Sequence, residues 1–240
     1  MNLQVFESRT TAERAIASEV AALVRRKPDA VLGLATGNTP TGVYAELARL
    51  HREEGLDLRR VRTFNLDEYC GLALGDPRAF RAWMERVLFA PAGVPLANVH
   101  FPDGVVEGHA VRIEELPAYC DAFERAIRDA GGIDLQLLGI GRNGHVGFNE
   151  PGSTRVSRTR RVELHPWTRQ DAAPAFDGLA HVPTHAVTMG IATILEARAL
   201  RILAFGEAKR ALVRRTLESP PDPSWPASHL RPHADARLIV

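Results

Sequence analysis

The largely apolar run Ile133–Leu138, followed at once by a glycine-rich loop over residues 139–150, constrains the fold most strongly. Such a run predicts a buried strand. Glycine lets the backbone approach a ligand closely, and open α/β sheets bind ligands at the carboxyl ends of their strands. The loop carries Asn143, His145 and Glu150, and an imidazole near a carboxylate can exchange protons at neutral pH. The segment therefore predicts an α/β sheet strand that leads into a functional site.

The composition is that of an ordinary soluble globular chain. Its 240 residues suffice for one α/β domain, so we expect residues 1–240 to form a single domain. The formal net charge of +1 gives no sign of the excess positive charge that is typical of proteins that bind nucleic acid or a membrane surface. Cys70 and Cys120 have no metal-binding or redox spacing, and the N-terminus lacks signal-peptide features. We expect a cytoplasmic protein without nucleic-acid or membrane partners and without a cofactor.

Strand-like and helix-like segments alternate along the chain. The predicted strands cover residues 30–35, 61–65, a short segment near 99, 133–138, 186–189, 199–205 and 237–240. The predicted helices cover residues 10–26, 40–54, 78–89, 109–129, 168–176 and 207–218, with a polar loop over 66–69. This alternation predicts the α/β class, with a parallel-dominated sheet and helices on both faces.

A turn of small polar residues follows the first predicted strand. It consists of Thr36, Gly37, Asn38 and Thr39. Pro40 suits the first helical position after it, with Thr39 as the N-cap. Free backbone N–H groups and hydroxyls at such a turn bind anions, so the turn is a candidate phosphate site, with a plain strand–helix turn as the alternative. It is not a Walker loop, because no Gly-Lys-Ser/Thr sequence follows.

Two further segments place charged side chains after predicted strands, at the same edge of the sheet. Asp67 and Glu68 follow the strand at 61–65, and a carboxylate there can serve as a general base. Taken alone, such an acid is more typical of a solvated loop. Lys209 follows the strand at 199–205, where it either reaches a bound anion or faces solvent.

The glycine loop also contains the spacing G-x-G-x-x-G at Gly139, Gly141 and Gly144. A dinucleotide-binding fingerprint needs a helix to begin in the loop, and Gly147 and Pro151 interrupt it here. The sequence therefore disfavours binding of a nicotinamide cofactor. No third ligand stands at a recognisable spacing from the imidazole and carboxylate of this loop, which disfavours a metal site.

Taken together, these segments resemble the glucosamine-6-phosphate deaminase family over nearly the whole chain. The matching segments are residues 36–40, 64–69, 141–151, 157–160, 206–209 and 226–230. The glycine-loop motif is highly specific, and the other motifs are moderately so. The resemblance implies a Rossmann-like parallel α/β sheet that binds no nucleotide.

The resemblance implies a reaction in which an amino sugar phosphate opens its ring, isomerises from aldose to ketose and loses ammonia to give fructose 6-phosphate. It gives the C2 proton shuttle to Asp67 and the ring-opening proton to His145, supported by Asn143 and Glu150. The implied substrate and phosphate binders are Thr36, Gly37, Asn38, Thr39, Gly141 and Lys209. The implied enzyme is a hydrolase of a C–N bond with ketol isomerisation, active in amino sugar catabolism.

The chain departs from the family pattern at two positions. Pro174 stands where the family has a phosphate-binding arginine, and we hypothesise that Arg169 substitutes for it. Val162 stands where allosteric members carry a basic residue of their effector site, and those members have more sequence after the last strand. We therefore expect no activation by an amino sugar phosphate, and a monomer or small homo-oligomer.

Two other functions stay open at this point, as does the choice of amino sugar epimer. A 6-phosphogluconolactonase shares the fold and a similar site, but it needs a base for water instead of one for a carbon-bound proton. A non-catalytic sugar-phosphate sensor needs a DNA-binding helix-turn-helix, and only about 30 residues precede the first predicted sheet strand.

Overall fold

The computed structural model describes residues 1–73, 75–102, 105–106, 109–110 and 113–240. The strands are β1 (Asn2–Gln4), β2 (Val31–Leu34), β3 (Arg62–Asn65), β4 (Asp67–Tyr69), β5 (Val99–His100), β6 (Val105–Val106), β7 (His109–Ala110), β8 (Leu135–Gly139), β9 (Arg160–Glu163), β10 (His185–Thr188), β11 (Leu200–Leu203) and β12 (Ala236–Ile239). The helices are α1 (Arg9–Arg26), α2 (Thr41–Glu54), α3 (Phe80–Met84), α4 (Leu116–Asp129), α5 (Pro166–Ala172), α6 (Ile191–Leu195) and α7 (Arg210–Glu218). Helix α3 continues as a π-helical turn over Glu85–Phe89. Among the described residues, none of the helices combines the length and the apolar character of a membrane-spanning segment.

Seven strands form one parallel sheet in the order β1-β12-β11-β8-β2-β3-β5, which confirms the predicted α/β class. From β2 the chain builds outward through β3 to β5, and it then returns to the other side of β2 with β8. Ligands of open α/β sheets bind where the strand order reverses in this way. The crevice beyond the carboxyl ends of β2 and β8 is therefore the expected place for a site.

Helices cover both faces of the sheet, and alternate strand residues belong to two separate cores. Leu32 and Leu135 pack with α1 and α2 in one cluster. Val31 and Leu138 pack with α4 and α6 in the other. Because successive side chains of a strand point to opposite faces, a strand buried on both sides must be apolar at nearly every position. This explains the near-continuous apolar runs of the central strands.

A second, antiparallel sheet of order β4-β10-β9 lies outside the parallel one and was absent from the sequence prediction. The predicted polar loop at 66–69 is wrong, because residues 67–69 form β4 and pair with β10. The predicted strand at 186–189 exists as β10, but it belongs to this small sheet. Strands of three or four residues with polar side chains give too short a pattern for sequence periodicity to detect.

Two helix starts also differ from the prediction. The predicted helix over 109–129 is wrong at its beginning, since residues 109–110 form β7 and α4 starts at Leu116. Pro117 at the first turn of α4 was an available signal for the true start. Thr39 is not the cap of α2, because Pro40 occupies that position and the helix begins at Thr41. A shift of one residue at a helix end, as at Thr39, is common.

A buried arginine on β11 forms an ion pair with α1, and this pair can be tested for its contribution to stability. Arg201 on β11 is 1% exposed, and its guanidinium pairs with Glu19 on α1 and with Asp235. We expect Glu19→Gln to lower the free energy of unfolding in urea by about 1.5–3 kcal/mol, because a buried cation loses part of its compensation. The matched control Glu218→Gln removes the exposed pair with Arg214 and should cost much less. Equal losses in both variants would contradict a structural role for the buried pair.

Candidate active site

Three loops meet at the carboxyl edge of the parallel sheet around a cavity of about 200 Å³. The turn after β2 contributes Thr36, Gly37 and Thr39, the segment after β3 contributes Asp67, and the glycine loop after β8 contributes Gly141 and His145. The cavity adjoins a larger outer cavity of about 570 Å³, and the two share Gly37 of the turn, Gly141 and His145 of the glycine loop, and Phe80 of α3 as lining residues. Together they have the size of a small-molecule site.

The Asp67 carboxylate lies in this cavity wall and is almost completely buried, with 5% exposure. Its strand β4 is fixed by pairing with β10, where Asp67 stands opposite Thr188. Burial removes water from the Asp67 carboxylate, and the negative charge of the adjacent Glu68 repels the charged form of Asp67. These effects raise the pKa of Asp67 to about 8, although a backbone hydrogen bond from Phe148 opposes them. A carboxylate so placed is a strong base in a dry pocket, suited to a proton bound to carbon.

The His145 ring is oriented by a hydrogen-bonded chain that runs through Asn143 to Glu150. Asn143 Nδ2 donates to Glu150 Oε2 at 2.8 Å, which leaves Asn143 Oδ1 to accept from His145 Nδ1 at 2.7 Å. His145 Nδ1 also lies 3.5 Å from Glu150 Oε2. With its proton on Nδ1, the imidazole keeps the lone pair of Nε2 for proton exchange.

Asn143 and Glu150 do not line the cavity, so the structure places them one contact away from it, against His145. Burial alone would raise the pKa of Glu150. Hydrogen bonds from His145, Thr168 and Asn143, together with the charge of His145, outweigh it and hold the pKa below its usual value. The anionic Glu150 therefore places a negative charge 3.5 Å from Nδ1 of the imidazole.

Close packing explains two glycines of the loop. A Cβ on Gly141 would lie 2.1 Å from both Cε1 and Nε2 of His145. Gly147 has φ +56°, and a Cβ there would lie 3.1 Å from Asp67 Oδ2. These residues let the loop backbone pass directly beside both ionisable side chains.

Two residues that the sequence did not indicate as part of the site, Arg9 and Tyr44, hold the turn after β2 in place. Arg9, at the start of α1, donates from a terminal guanidinium nitrogen to the carbonyl of Asn38 at 2.7 Å. The hydroxyl of Tyr44 donates to the carbonyl of Ala35 at 2.5 Å. Because both bonds engage carbonyl oxygens, they hold the turn in place without occupying its N–H groups, which suits an anion site.

Lys209 lies in the wall of the outer cavity with Asn38, and not in the inner cavity. Its Nζ donates to the carbonyl of Ile140 at 2.7 Å, which anchors the side chain beside the glycine loop. Burial lowers the pKa of Lys209, and the nearby charge of Asp171 opposes this shift. The side chain thus presents a half-buried amine at the mouth of the inner cavity.

Arg169 does not fit the hypothesis that it replaces the family arginine. Its guanidinium donates to the carbonyls of Leu179 and Val182, at 3.1 and 3.0 Å, and it lines neither cavity. Pro174 also lies outside the lining of both cavities. These contacts give Arg169 a structural role in holding the segment after α5.

Glu68 and Phe80 are further site residues whose roles the sequence did not reveal. Glu68 is buried and accepts the backbone N–H groups of Tyr69, Phe80 and Arg81 at 2.8–3.0 Å. It therefore fixes the start of α3, and Phe80 on that helix lines both cavities. The only sequence signal was the doubled acid after β3, which cannot by itself show which acid faces the cavity.

Comparison with known proteins finds close relatives over most of the chain. The family model described as glucosamine-6-phosphate isomerases/6-phosphogluconolactonase matches residues 7–239. A glucosamine-6-phosphate deaminase from Arthrobacter sp. (strain FB24) is 46% identical over 224 residues, or 93% of this chain and 84% of that protein. Glucosamine-6-phosphate deaminase 1 from Giardia intestinalis is 46% identical over 227 residues, or 94% and 82% of the two chains.

Solved structures with the same fold include a monomeric glucosamine-6-phosphate deaminase, with a TM-score of 0.93 and 39% identity over 100% of this chain and 96% of that one. A 6-phosphogluconolactonase from Thermotoga maritima has a TM-score of 0.74 and 24% identity over 100% and 98% of the two chains, a likeness of fold alone. The residues matched by the family model and the identity to its curated relatives lead to one conclusion: the chain belongs to the family of glucosamine-6-phosphate isomerases and 6-phosphogluconolactonases.

Proposed function

We propose that this protein is a glucosamine-6-phosphate deaminase, which converts glucosamine 6-phosphate and water to fructose 6-phosphate and ammonia. The observation that carries the proposal is the meeting of Asp67, His145 and the 36–39 turn around one cavity. The deaminases at 46% identity support the same substrate. Because the net reaction hydrolyses a C–N bond after a ketol isomerisation, we class the enzyme as a hydrolase in amino sugar catabolism.

In the proposed mechanism His145 opens the sugar ring. Its Nε2 takes the proton of the C1 hydroxyl and returns a proton to the ring oxygen, so that the C1 aldehyde forms. Asn143 keeps the imidazole oriented, and Glu150 stabilises the positive charge that the ring carries between the two transfers. General acid–base assistance of this kind contributes roughly 10²- to 10⁴-fold.

Asp67 then moves the proton from C2 to C1. Removal of the C2 proton and protonation of the C1 oxygen give an enolamine. Delivery of the Asp67 proton to C1, with loss of one proton from the nitrogen, then leaves an imine at C2. Water adds to this imine and ammonia leaves, which yields the ketone of fructose 6-phosphate. The buried carboxylate suits the first step, because abstraction of a proton next to a carbonyl needs a base stronger than an ordinary solvated Asp.

A lactonase needs a base for water but no group that carries a proton between two carbon atoms. The buried Asp67 therefore favours the deaminase over the 6-phosphogluconolactonase alternative. We also propose that residues 1–240 act as one domain, that the enzyme works in the cytoplasm as a monomer or small homo-oligomer, and that Thr36, Gly37, Asn38, Thr39, Gly141 and Lys209 bind the substrate.

A coupled assay of ammonia release tests the proposal. We expect glucosamine 6-phosphate to give ammonia and fructose 6-phosphate in equal amounts, with galactosamine 6-phosphate measured alongside to define the epimer preference. Hydrolysis of 6-phosphogluconolactone serves as the third arm. Hydrolysis of the lactone without ammonia from either amino sugar would move the function to the lactonase.

The pH dependence of the rate should report the ionisation of Asp67. Only the deprotonated carboxylate can accept the C2 proton, so kcat/KM should rise with pH on a limb centred near the Asp67 pKa of about 8. We expect Glu68→Gln to move this limb to lower pH by roughly one unit, because it removes the adjacent negative charge. Rate measurements between pH 5.5 and 9.5 check this, and a limb that stays in place would show that Glu68 does not set the Asp67 pKa.

A further inference from the structure

The outer cavity carries a marked excess of positive charge on its walls. Four cationic side chains and one carboxylate line it among the residues that the structure describes, namely Arg78, Arg86, Arg142, Lys209 and Asp171. Two of the arginines belong to the side of the cavity near α3. Arg78 pairs with Asp76, and Arg86 donates to the carbonyl of Pro77. The other wall, which adjoins the glycine loop, holds the remaining three groups.

Arg142 occupies that wall from within the glycine loop itself. Its Nε lies 3.1 Å from Asp171 Oδ2, and a terminal nitrogen donates to Gln170 Oε1 and to the carbonyl of Trp167, each at 3.1 Å. The guanidinium also lies over the Trp167 ring, 5.1 Å from its centroid. The side chain therefore spans from the loop to α5 at the edge of the cavity, and it is 42% exposed.

Asp171 is the shared partner of the two cations on this wall. It pairs with Arg142, and its charge acts on Lys209. Two positive charges thus face one negative charge beside Asn38 and Gly37 of the anion-binding turn. A doubly charged phosphate placed there gains both cations, and the guanidinium offers it a planar pair of donors. Neither Pro174 nor Arg169 is available, since neither lines the cavity.

We propose that Arg142 is the second cation of the phosphate-binding site, acting beside Lys209, and that Asp171 holds its guanidinium in place until the phosphate group arrives. The inference rests on the function proposed above and adds the residue that selects phosphorylated sugars. Because Arg142 is three residues from His145 on one loop, phosphate binding also steadies the segment that carries the imidazole.

Binding of fructose 6-phosphate, followed by isothermal titration calorimetry without turnover, tests the inference. We expect Arg142→Gln to raise the Kd roughly 10- to 150-fold, the range for losing one charge-assisted contact. The matched control Arg86→Gln removes a cation from the opposite wall and should change the Kd less than twofold. Thermal unfolding of each variant establishes that the fold is intact.

The variant Asp171→Asn distinguishes two roles for Arg142: binding of the phosphate group, and a purely structural link between the glycine loop and α5. Both Arg142→Gln and Asp171→Asn break the same ion pair, so a structural tie predicts that both weaken binding alike. The proposal predicts opposite signs: Asp171→Asn removes the charge that competes with phosphate, and the Kd for fructose 6-phosphate should fall severalfold. Equal weakening by the two variants, or an unchanged Kd in Arg142→Gln, overturns the role of Arg142.

The same measurements distinguish failure of the deaminase proposal from failure of the proposed role of Arg142. Loss of fructose 6-phosphate binding in Arg142→Gln, in a protein that releases no ammonia from any amino sugar phosphate, supports the phosphate site and contradicts the deaminase. Ammonia release by the wild-type protein, with no effect of Arg142→Gln on binding, supports the deaminase and contradicts the phosphate site. A wild-type protein that fails to bind fructose 6-phosphate contradicts both.

Discussion

Replacement of Asp67 by Asn should reduce kcat for ammonia release from glucosamine 6-phosphate by roughly 10²- to 10⁴-fold. The amide keeps the size and much of the hydrogen bonding of the carboxyl group, but it cannot accept the C2 proton. We therefore expect the Kd for fructose 6-phosphate to change no more than a few-fold. Steady-state assays and calorimetry on the same preparation measure both quantities. A variant with near wild-type kcat would remove Asp67 from the proposed mechanism.

Asp67→Asn should also stabilise the protein at alkaline pH. The pKa of Asp67 is about 8 in the folded state, against about 3.9 for an unfolded aspartate. A raised folded pKa means that stability is fully present below the unfolded pKa and is lost as pH rises through the folded one. The variant has no charge to bury, so its advantage in urea unfolding should grow from pH 4 and level off above pH 8. A difference independent of pH would contradict the buried, uncharged carboxyl at neutral pH.

Gly141→Ala should inactivate the enzyme without removing any chemical group. The new Cβ would lie 2.1 Å from Cε1 and Nε2 of His145, far inside contact distance, so the imidazole must leave its position. We expect kcat to fall by roughly 10²- to 10⁴-fold, as for loss of a general acid–base group. Steady-state assays of Gly141→Ala beside His145→Ala make the comparison.

The double variant Gly141→Ala/His145→Ala provides the control. If the methyl group acts by displacing the imidazole, it has nothing left to displace once the ring is gone. The double variant should then be no slower than His145→Ala alone, and it should recover thermal stability lost by Gly141→Ala. Additive losses of activity would mean that the methyl group blocks the substrate instead.

The burial of Asp67 is a property of the site that the sequence could not predict. The sequence indicates the acid pair after β3 as a candidate base, yet an acid at that position is by itself more typical of a solvated loop. Its burial depends on β10, which pairs with β4 from about 120 residues further along the chain. Such long-range pairing of short polar strands leaves no local periodicity to detect.

The position of Arg142, which we propose as the second phosphate-binding cation, could not be predicted from the sequence for a related reason. Sequence proximity to Pro174 pointed to Arg169, whose guanidinium the fold directs to the carbonyls of Leu179 and Val182. Arg142 stands 32 positions before Pro174 and reaches α5 only because the glycine loop and that helix pack at one edge of the sheet.

Local signals in the sequence were enough to predict the parallel α/β architecture and the loops of the candidate site. Apolar runs, glycines and caps are local signals, and the carboxyl ends of parallel strands must share one edge. The folded structure was needed to show which ionisable groups are shielded from water and which side chains contact one another. Those properties depend on contacts between distant segments, and they set the Asp67 pKa, the orientation of His145 and the position of Arg142.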